Sequence, residues 1–122
     1  MASEGAKLTT YESGANVCSP SRASLMTGRY YPRTGVYPGV LSPNSVGGLP
    51  LNETTVAAEL KKVGYVTGMV GKWHLGVGEY LPTNHGFDYY FGECKTTIQA
   101  VHAVSRVVSI ALSHTTLVAV VL

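Results

Sequence analysis

The chain has 122 residues, a length that suits a single domain with a hydrophobic core of moderate size. Its composition, 45% hydrophobic and 13% charged, excludes a disordered polyelectrolyte. The formal net charge of +2 gives no argument for a nucleic-acid or membrane-surface partner, and two cysteines without a CxxC pair indicate neither a disulfide framework nor a structural zinc site.

The first predicted elements are a strand and a short helix. Residues 7–13, KLTTYES, alternate loosely between apolar and polar side chains, which favours a strand. The run from Pro20 to Met26 suits a helix, because proline is tolerated in a first helical turn. Ser19 or Cys18 lies near the expected cap of this helix, and Gly28 is a typical stop signal.

A long loop, a second helix and a buried strand follow. Four prolines within residues 29–52 predict an irregular loop, and loops of this length are commonly functional. Thr54 or Thr55 is expected to cap a helix that runs through Lys62. The apolar run YVTGMVG, residues 65–71, reads as a buried strand. This order predicts an α/β protein whose sheet, parallel or mixed, is flanked by helices.

The composition changes near residue 92, and this change divides the chain into two predicted parts. All 14 glycines and all six prolines lie in residues 1–92, whereas residues 93–122 are rich in Val, Ala, Ser and Thr. Within the second part, QAVHAVSRVVSIAL is compatible with a helix and TTLVAVVL with a strand. His102 and His114 lie in this part and receive no predicted role.

Cys18 and Arg22 form the first candidate site. With Pro20 in the first turn, Cys18 lies at the helix N-terminus, where free N–H groups and the positive dipole end favour an anion. Arg22 projects from the same side about one turn further along. A nucleophile, a guanidinium and a helix end together suit attack on a tetrahedral oxyanion ester. A thiolate phosphatase would need its arginine where Ser24 stands, and the remaining alternative is a buried structural thiol beside a surface charge.

Residues 18–29, CSPSRASLMTGR, resemble the sulfatase signature, in which Cys-x-Pro-Ser-Arg is followed by Leu-x-Thr-Gly-Arg. The matching positions are Cys18, Pro20, Ser21, Arg22, Leu25, Thr27, Gly28 and Arg29. In that family a formylglycine-generating enzyme oxidises the cysteine to an aldehyde, whose hydrate attacks sulfur. The resemblance implies that Cys18, as formylglycine, is the nucleophile and a metal ligand, and that Arg22 stabilises it.

Residues 71–76, GKWHLG, resemble the second signature of the same family, which follows a GYxT strand. The resemblance implies that Lys72 donates to a sulfate oxygen and that His74 hydrogen-bonds the formylglycine. In an extended segment these two side chains share one face, while Trp73 points into the core. The alternative is a surface lysine, a structural histidine and a packed tryptophan.

The same resemblance implies an incomplete alkaline-phosphatase-like α/β fold and a divalent cation, typically Ca²⁺. In the family, an Asp-Asp pair and a later Asp-Asn or Asp-His pair bind this cation. Asp88 is the sole aspartate here, so we expect the cation ligands other than Cys18 to be absent from this chain. Residues 35–50 look closest to the arylsulfatase A and galactosamine-sulfatase branch, and His85 is expected to be structural.

The implied function is hydrolysis of sulfate monoesters, aryl or glycan, by a sulfatase catalytic domain of which residues 1–92 are an N-terminal part. The fragment is expected to be inactive alone. Two alternatives stay open: a phosphonate or phosphate monoester hydrolase that uses the same modified cysteine, and a truncated product without activity.

The sequence also gives expectations about the compartment. The N-terminus shows no signal peptide, and no apolar run reaches the roughly 20 residues that a membrane span needs. The resemblance implies a lysosomal or secreted location for a full-length family member. Asn52 opens the sequon Asn-Glu-Thr, which becomes an N-glycosylation site only in the secretory pathway.

Overall fold

A computed structural model describes residues 3–42, 44–92 and 117–121 of the chain. Its helices and strands are α1 (Cys18–Thr27), α2 (Val56–Lys62), β1 (Val66–Val70), β2 (Tyr89–Phe91) and β3 (Leu117–Val121). The strands form one sheet in the order β2-β1-β3, and both pairings are parallel. The prediction of an α/β protein is confirmed.

Strand β1 is the centre of this sheet. It aligns Gly68 with Tyr89 of β2 and Val66 with Leu117 of β3, so it is paired along its length on the β3 side. Four of its five residues are buried, as expected for a parallel strand that is covered on both faces. The apolar run at 65–71 was therefore correctly assigned as a buried strand.

Strand β3 confirms that part of TTLVAVVL is a strand. The run QAVHAVSRVVSIAL, predicted as a helix, lies outside the described residues. Among those residues, no helix has the length and hydropathy to cross a bilayer.

Helix α1 begins earlier than the proline pattern predicted. Its first residue is Cys18, and the capping position belongs to Val17, whose extended backbone precedes the helix without a side-chain cap. Cys18 does lie next to the cap, as expected, but Cys18 and Ser19 are both helical because Pro20 lies in the third helical position rather than the first. The stop is as predicted: Gly28 adopts a left-handed conformation with φ +64° and donates its N–H to the Ser24 carbonyl.

The predicted strand at residues 7–13 is wrong. This segment has irregular backbone, and Leu8 and Tyr11 are 69% and 67% exposed. Within the described residues, the sheet consists of β2, β1 and β3, and this segment pairs with none of them. Loose alternation alone does not stabilise an isolated strand.

The described residues of the loop at 29–52 are irregular, as predicted, apart from a short 3₁₀ turn at Tyr31–Arg33. The loop still contributes buried side chains, among them Val36 and Leu49. The core that they join contains Ala23, Met26, Ala57, Met69, Trp73, Leu75 and Phe87. The loop is therefore packed against both helices and the sheet rather than projecting from them.

Thr55 ties helix α2 to the turn before β2. Its hydroxyl accepts from the Ala58 N–H at 3.2 Å and donates to the His85 carbonyl at 2.5 Å. Gly86 lies so close that a Cβ atom there would collide with the Ala58 backbone. Of the two threonines that the sequence offered as caps, the structure uses the buried Thr55.

We expect Thr55→Ala to lower the free energy of unfolding by about 1–2 kcal/mol, because it removes a helix cap and leaves buried backbone groups unpaired. Thr54→Ala, which alters the exposed neighbour, should change stability by less than about 0.5 kcal/mol. Urea unfolding followed by circular dichroism measures both values. Equal midpoints for the two variants would show that the hydroxyl of Thr55 does not stabilise this junction.

Candidate active site

The N-terminus of α1 lies beside the segment that follows β1, residues 71–76. The Lys72 ammonium donates to the Cys18 sulfur, with 3.5 Å between Nζ and Sγ, although the two residues are 54 positions apart in the chain. Cys18 is exposed and Lys72 is half-buried. Two residues that the sequence assigned to one site are thus brought together by the fold.

Arg22 fixes the position of this segment. Its Nη1 atom donates to the Lys72 carbonyl at 2.5 Å, which anchors the segment to the first turns of α1. A guanidinium carries five N–H donors, so this bond leaves others for an anion. Arg22 therefore links the two elements and adds positive charge beside Cys18.

His74 belongs to the same segment, and its Nε2 atom is 2.9 Å from the Leu41 carbonyl. Burial lowers the pKa of His74, and the charges of Lys72 and Arg22 lower it further, against the opposing effect of the Leu41 carbonyl. The imidazole is therefore held neutral at physiological pH. Among the described residues, the hydrogen-bond partner of His74 is Leu41 rather than Cys18.

The backbone of this segment changes conformation at His74. His74 has φ +56°, which is uncommon for a residue with a side chain, so the segment is not extended through this position. Simple alternation in an extended segment therefore does not hold through His74, and a shared face for Lys72 and His74 stays a prediction. Trp73 does point into the core as predicted: it is 1% exposed and donates its indole N–H to the Tyr80 carbonyl at 2.8 Å.

An open cavity of about 590 Å³ adjoins Cys18. Its lining combines the polar side chains of Ser13, Asn16, Ser21 and Arg22 with the apolar side chains of Ala15, Val17 and Leu25, and none of the described lining residues carries a carboxylate. With Lys72 nearby, this surface is suited to a tetrahedral anion rather than to a cation.

The described residues do not supply a divalent-cation site. They contain no group of three or more His, Cys, Asp or Glu side chains with ligand spacing. The carboxylate of Asp88 is engaged by Lys61 at 2.7 Å and by the Thr67 N–H at 2.9 Å, and the Lys61 ammonium is the main reason that its pKa is lowered. The Asp88 carboxylate is therefore engaged within the fold rather than available to a cation.

The sequence matches the family model described as Sulfatase over residues 1–105. The chain belongs to the sulfatase family. It is 58% identical over 93 residues to human arylsulfatase G and 52% identical over 95 residues to human arylsulfatase A. Each alignment covers 75% of this chain but only 18% and 19% of the two relatives. This sulfatase chain therefore spans about a fifth of the length of these curated relatives.

Solved structures place the fold in the same family. The crystal structure of Ps i-CgsB in complex with k-i-k-neocarrahexaose matches with a TM-score of 0.66 and 28% identity, over 85% of this chain and 24% of that one. PsFucS1 sulfatase from Pseudoalteromonas sp. matches with a TM-score of 0.57 and 40% identity, over 66% and 17%. The α/β arrangement is therefore part of an alkaline-phosphatase-like fold, as expected.

The sequence did not identify Leu41, whose main chain hydrogen-bonds both to α1 and to the segment that follows β1. Its N–H donates to Ser19 and its carbonyl faces His74. Leu41 acts through its main chain, which no side-chain pattern reveals. The glycines and prolines around it indicated only that the loop was irregular.

His85 lies in the core, apart from the residues around Cys18. It is 3% exposed, and its ring packs against Trp73 with 5.4 Å between centroids. Burial lowers its pKa more than the Leu49 backbone raises it. This position is consistent with the structural role expected from the sequence.

The lowered pKa of His85 predicts a pH-dependent stability. Above the ordinary pKa of 6.5 both the folded and unfolded chains hold it neutral; below it, the unfolded chain binds the proton first, so stability falls as the pH falls. We expect a loss of at most about 1.4 kcal/mol per pH unit from this histidine. Urea unfolding between about pH 7 and pH 5 should show a smaller decline for His85→Gln than for the unsubstituted chain.

His74 titrates in the same direction, so His74→Gln provides the comparison for this measurement. The two substitutions should each remove part of the decline. A decline that both variants retain in full would contradict the assignment to these buried imidazoles.

Proposed function

We propose that residues 1–92 are part of a sulfatase catalytic domain that hydrolyses sulfate monoesters through a formylglycine made from Cys18. The observation that best supports this proposal is the approach of the Lys72 ammonium to Cys18 Sγ, at 3.5 Å, at the N-terminus of α1. The match of residues 1–105 to the sulfatase family gives the reaction class. Residues 93–122 are proposed to be a divergent segment, of which β3 pairs with β1.

The chemistry explains why a cysteine is converted rather than used directly. The hydrated aldehyde carries two hydroxyl groups on one carbon. One oxygen attacks sulfur, the bond from sulfur to the ester oxygen breaks, and the alcohol leaves. The second hydroxyl then loses its proton and re-forms the aldehyde as the carbon–oxygen bond to sulfate breaks. A thiol has no second group with which to expel sulfate, so an unmodified cysteine would remain sulfated.

The positively charged side chains of the site would stabilise the negative charge of the sulfate group and of the modified residue. Lys72 would donate to the sulfate oxygens, on which negative charge is concentrated during transfer, and Arg22 would stabilise the formylglycine. Lys72 is also within reach of the residue that becomes formylglycine, so it would hold the hydrate. His74, neutral and in the same segment as Lys72, would hydrogen-bond the hydrate.

The chain alone is proposed to be inactive. The family binds a divalent cation, typically Ca²⁺, with formylglycine as one ligand, and the described residues offer no further ligand cluster. Such a cation would neutralise sulfate charge in a complete domain. Aryl or glycan sulfates are the proposed substrates.

The relatives support a lysosomal or secreted location for the whole protein. Asn52 is exposed in the turn before α2, so the sequon Asn-Glu-Thr would be accessible to glycosylation in that pathway. The formylglycine-generating enzyme is the partner that this proposal requires.

The modification is tested by producing the chain together with a formylglycine-generating enzyme and measuring peptide masses. The peptide with Cys18 should lose one sulfur and two hydrogens and gain one oxygen, with the modifying enzyme supplying the oxidant. Cys94 lacks the Pro-x-Arg context and should keep its thiol, which makes it an internal control. Pro20→Ala and Arg22→Ala should reduce conversion, and an unmodified Cys18 under these conditions would contradict the proposal.

The reaction is tested by replacing the matching segment of human arylsulfatase G with residues 3–92 of this chain. The chimera should hydrolyse an aryl sulfate, and Cys18→Ala and Lys72→Met should each lower kcat at least about 100-fold. Arg33→Met, which removes an exposed charge outside the site, is the matched control. Faster turnover of an aryl phosphonate than of the sulfate would favour the phosphonate hydrolase alternative. A folded but inactive chimera would favour the alternative of a product without activity.

A further inference from the structure

Ser19 contacts the loop that faces the candidate site. This serine directly follows Cys18 in α1 and is completely buried. Its hydroxyl oxygen accepts from the Leu41 N–H at 3.0 Å, across 22 positions of the chain. Because Leu41 belongs to a long irregular loop, this bond fixes one point of that loop against the helix that carries Cys18.

The other side of Leu41 is fixed by His74. The Leu41 carbonyl lies 2.9 Å from His74 Nε2, so the two hydrogen bonds hold the backbone on both sides of the Leu41 Cα atom. A carbonyl oxygen can only accept a hydrogen bond, and a neutral imidazole carries one N–H. The proton of His74 must therefore be on Nε2, which leaves Nδ1 with a lone pair.

The acceptor nitrogen of His74 is buried. Nδ1 has no hydrogen-bond partner among the residues that the structure describes. Buried polar atoms are usually paired, so Nδ1 is available to accept a hydrogen bond from a donor that approaches it. In the reaction proposed above, a hydroxyl of the aldehyde hydrate is a donor of the right kind for it.

We propose that Ser19 is a positioning residue, which acts through the Leu41 backbone to hold His74 in the tautomer with a protonated Nε2 and an acceptor Nδ1. Ser19 touches neither the substrate nor the reacting atoms. Its hydroxyl sets the position of the carbonyl that selects the tautomer, and the same residue lies next to Cys18. The consequence for catalysis rests on the proposed function, whereas the tautomer itself does not.

The test is a long-range ¹H–¹⁵N spectrum of the histidine rings in the full chain, recorded near pH 8, where imidazole is neutral. Such a spectrum separates a protonated ring nitrogen from an unprotonated one. His74→Gln identifies the signals of His74. We expect a protonated Nε2 and an unprotonated Nδ1 in the unsubstituted chain, and a protonated Nδ1 or two averaged nitrogens would overturn the proposal.

The matched variants are Ser19→Thr and Ser19→Val, whose side chains have nearly the same shape but differ in the hydroxyl. The threonine variant should keep the His74 tautomer, and the valine variant should lose it. Both variants keeping it, or both losing it, would overturn the role of the hydroxyl. Ser24→Ala is the control in the same helix, because the Ser24 hydroxyl is buried without a partner in the described chain.

This experiment is independent of the proposed function. The spectrum is recorded on the unmodified thiol form, so a failure of Cys18 to mature would contradict the sulfatase mechanism without changing the result for Ser19. Conversely, a full yield of formylglycine would not rescue the Ser19 proposal if the valine variant kept the tautomer.

Discussion

The candidate site depends on one contact between elements, the packing of the first turn of α1 against the segment that follows β1. Arg22 holds the Lys72 carbonyl, and this bond places the Lys72 ammonium beside Cys18. Since the three residues come from two distant parts of the chain, the site exists only when the sheet and helix are assembled. Stability of the core and integrity of the site are therefore linked.

The electrostatics of the site follow from the same packing. Lys72 and Arg22 bring two positive charges to a helix N-terminus, where the backbone adds N–H donors. The only aspartate of the chain forms an ion pair with Lys61 and a hydrogen bond with the Thr67 N–H next to β1 and β2. Its negative charge is therefore compensated within the fold. The result is a local surface that favours anions although the net charge of the chain is only +2.

Sequence patterns identified the elements that depend on local chemistry. The helix stop at Gly28, the buried strand at 65–71 and the packing of Trp73 all follow from residue type and periodicity. The strand predicted at 7–13 failed because pairing is a property of the whole sheet, which local alternation does not encode. Site residues with signature motifs were identified by resemblance, and the structure brings Cys18, Arg22 and Lys72 together.

The geometry around His74 could not have been predicted in this way. Its left-handed backbone and its bond to the Leu41 carbonyl depend on how a long loop returns to the helix. Neither feature has a side-chain signature, because a main-chain carbonyl is present at every position. The resemblance named the histidine, but only the folded chain shows which ring nitrogen remains available.

The single tryptophan gives the protein an intrinsic optical reporter. Trp73 stands between Lys72 and His74 in the chain, its indole is buried, and Phe87 meets it edge-on with 6.3 Å between ring centroids. Its fluorescence therefore originates from one known location. Any ligand or substitution that loosens this segment will expose the indole to water and shift its emission to longer wavelength, without an added dye.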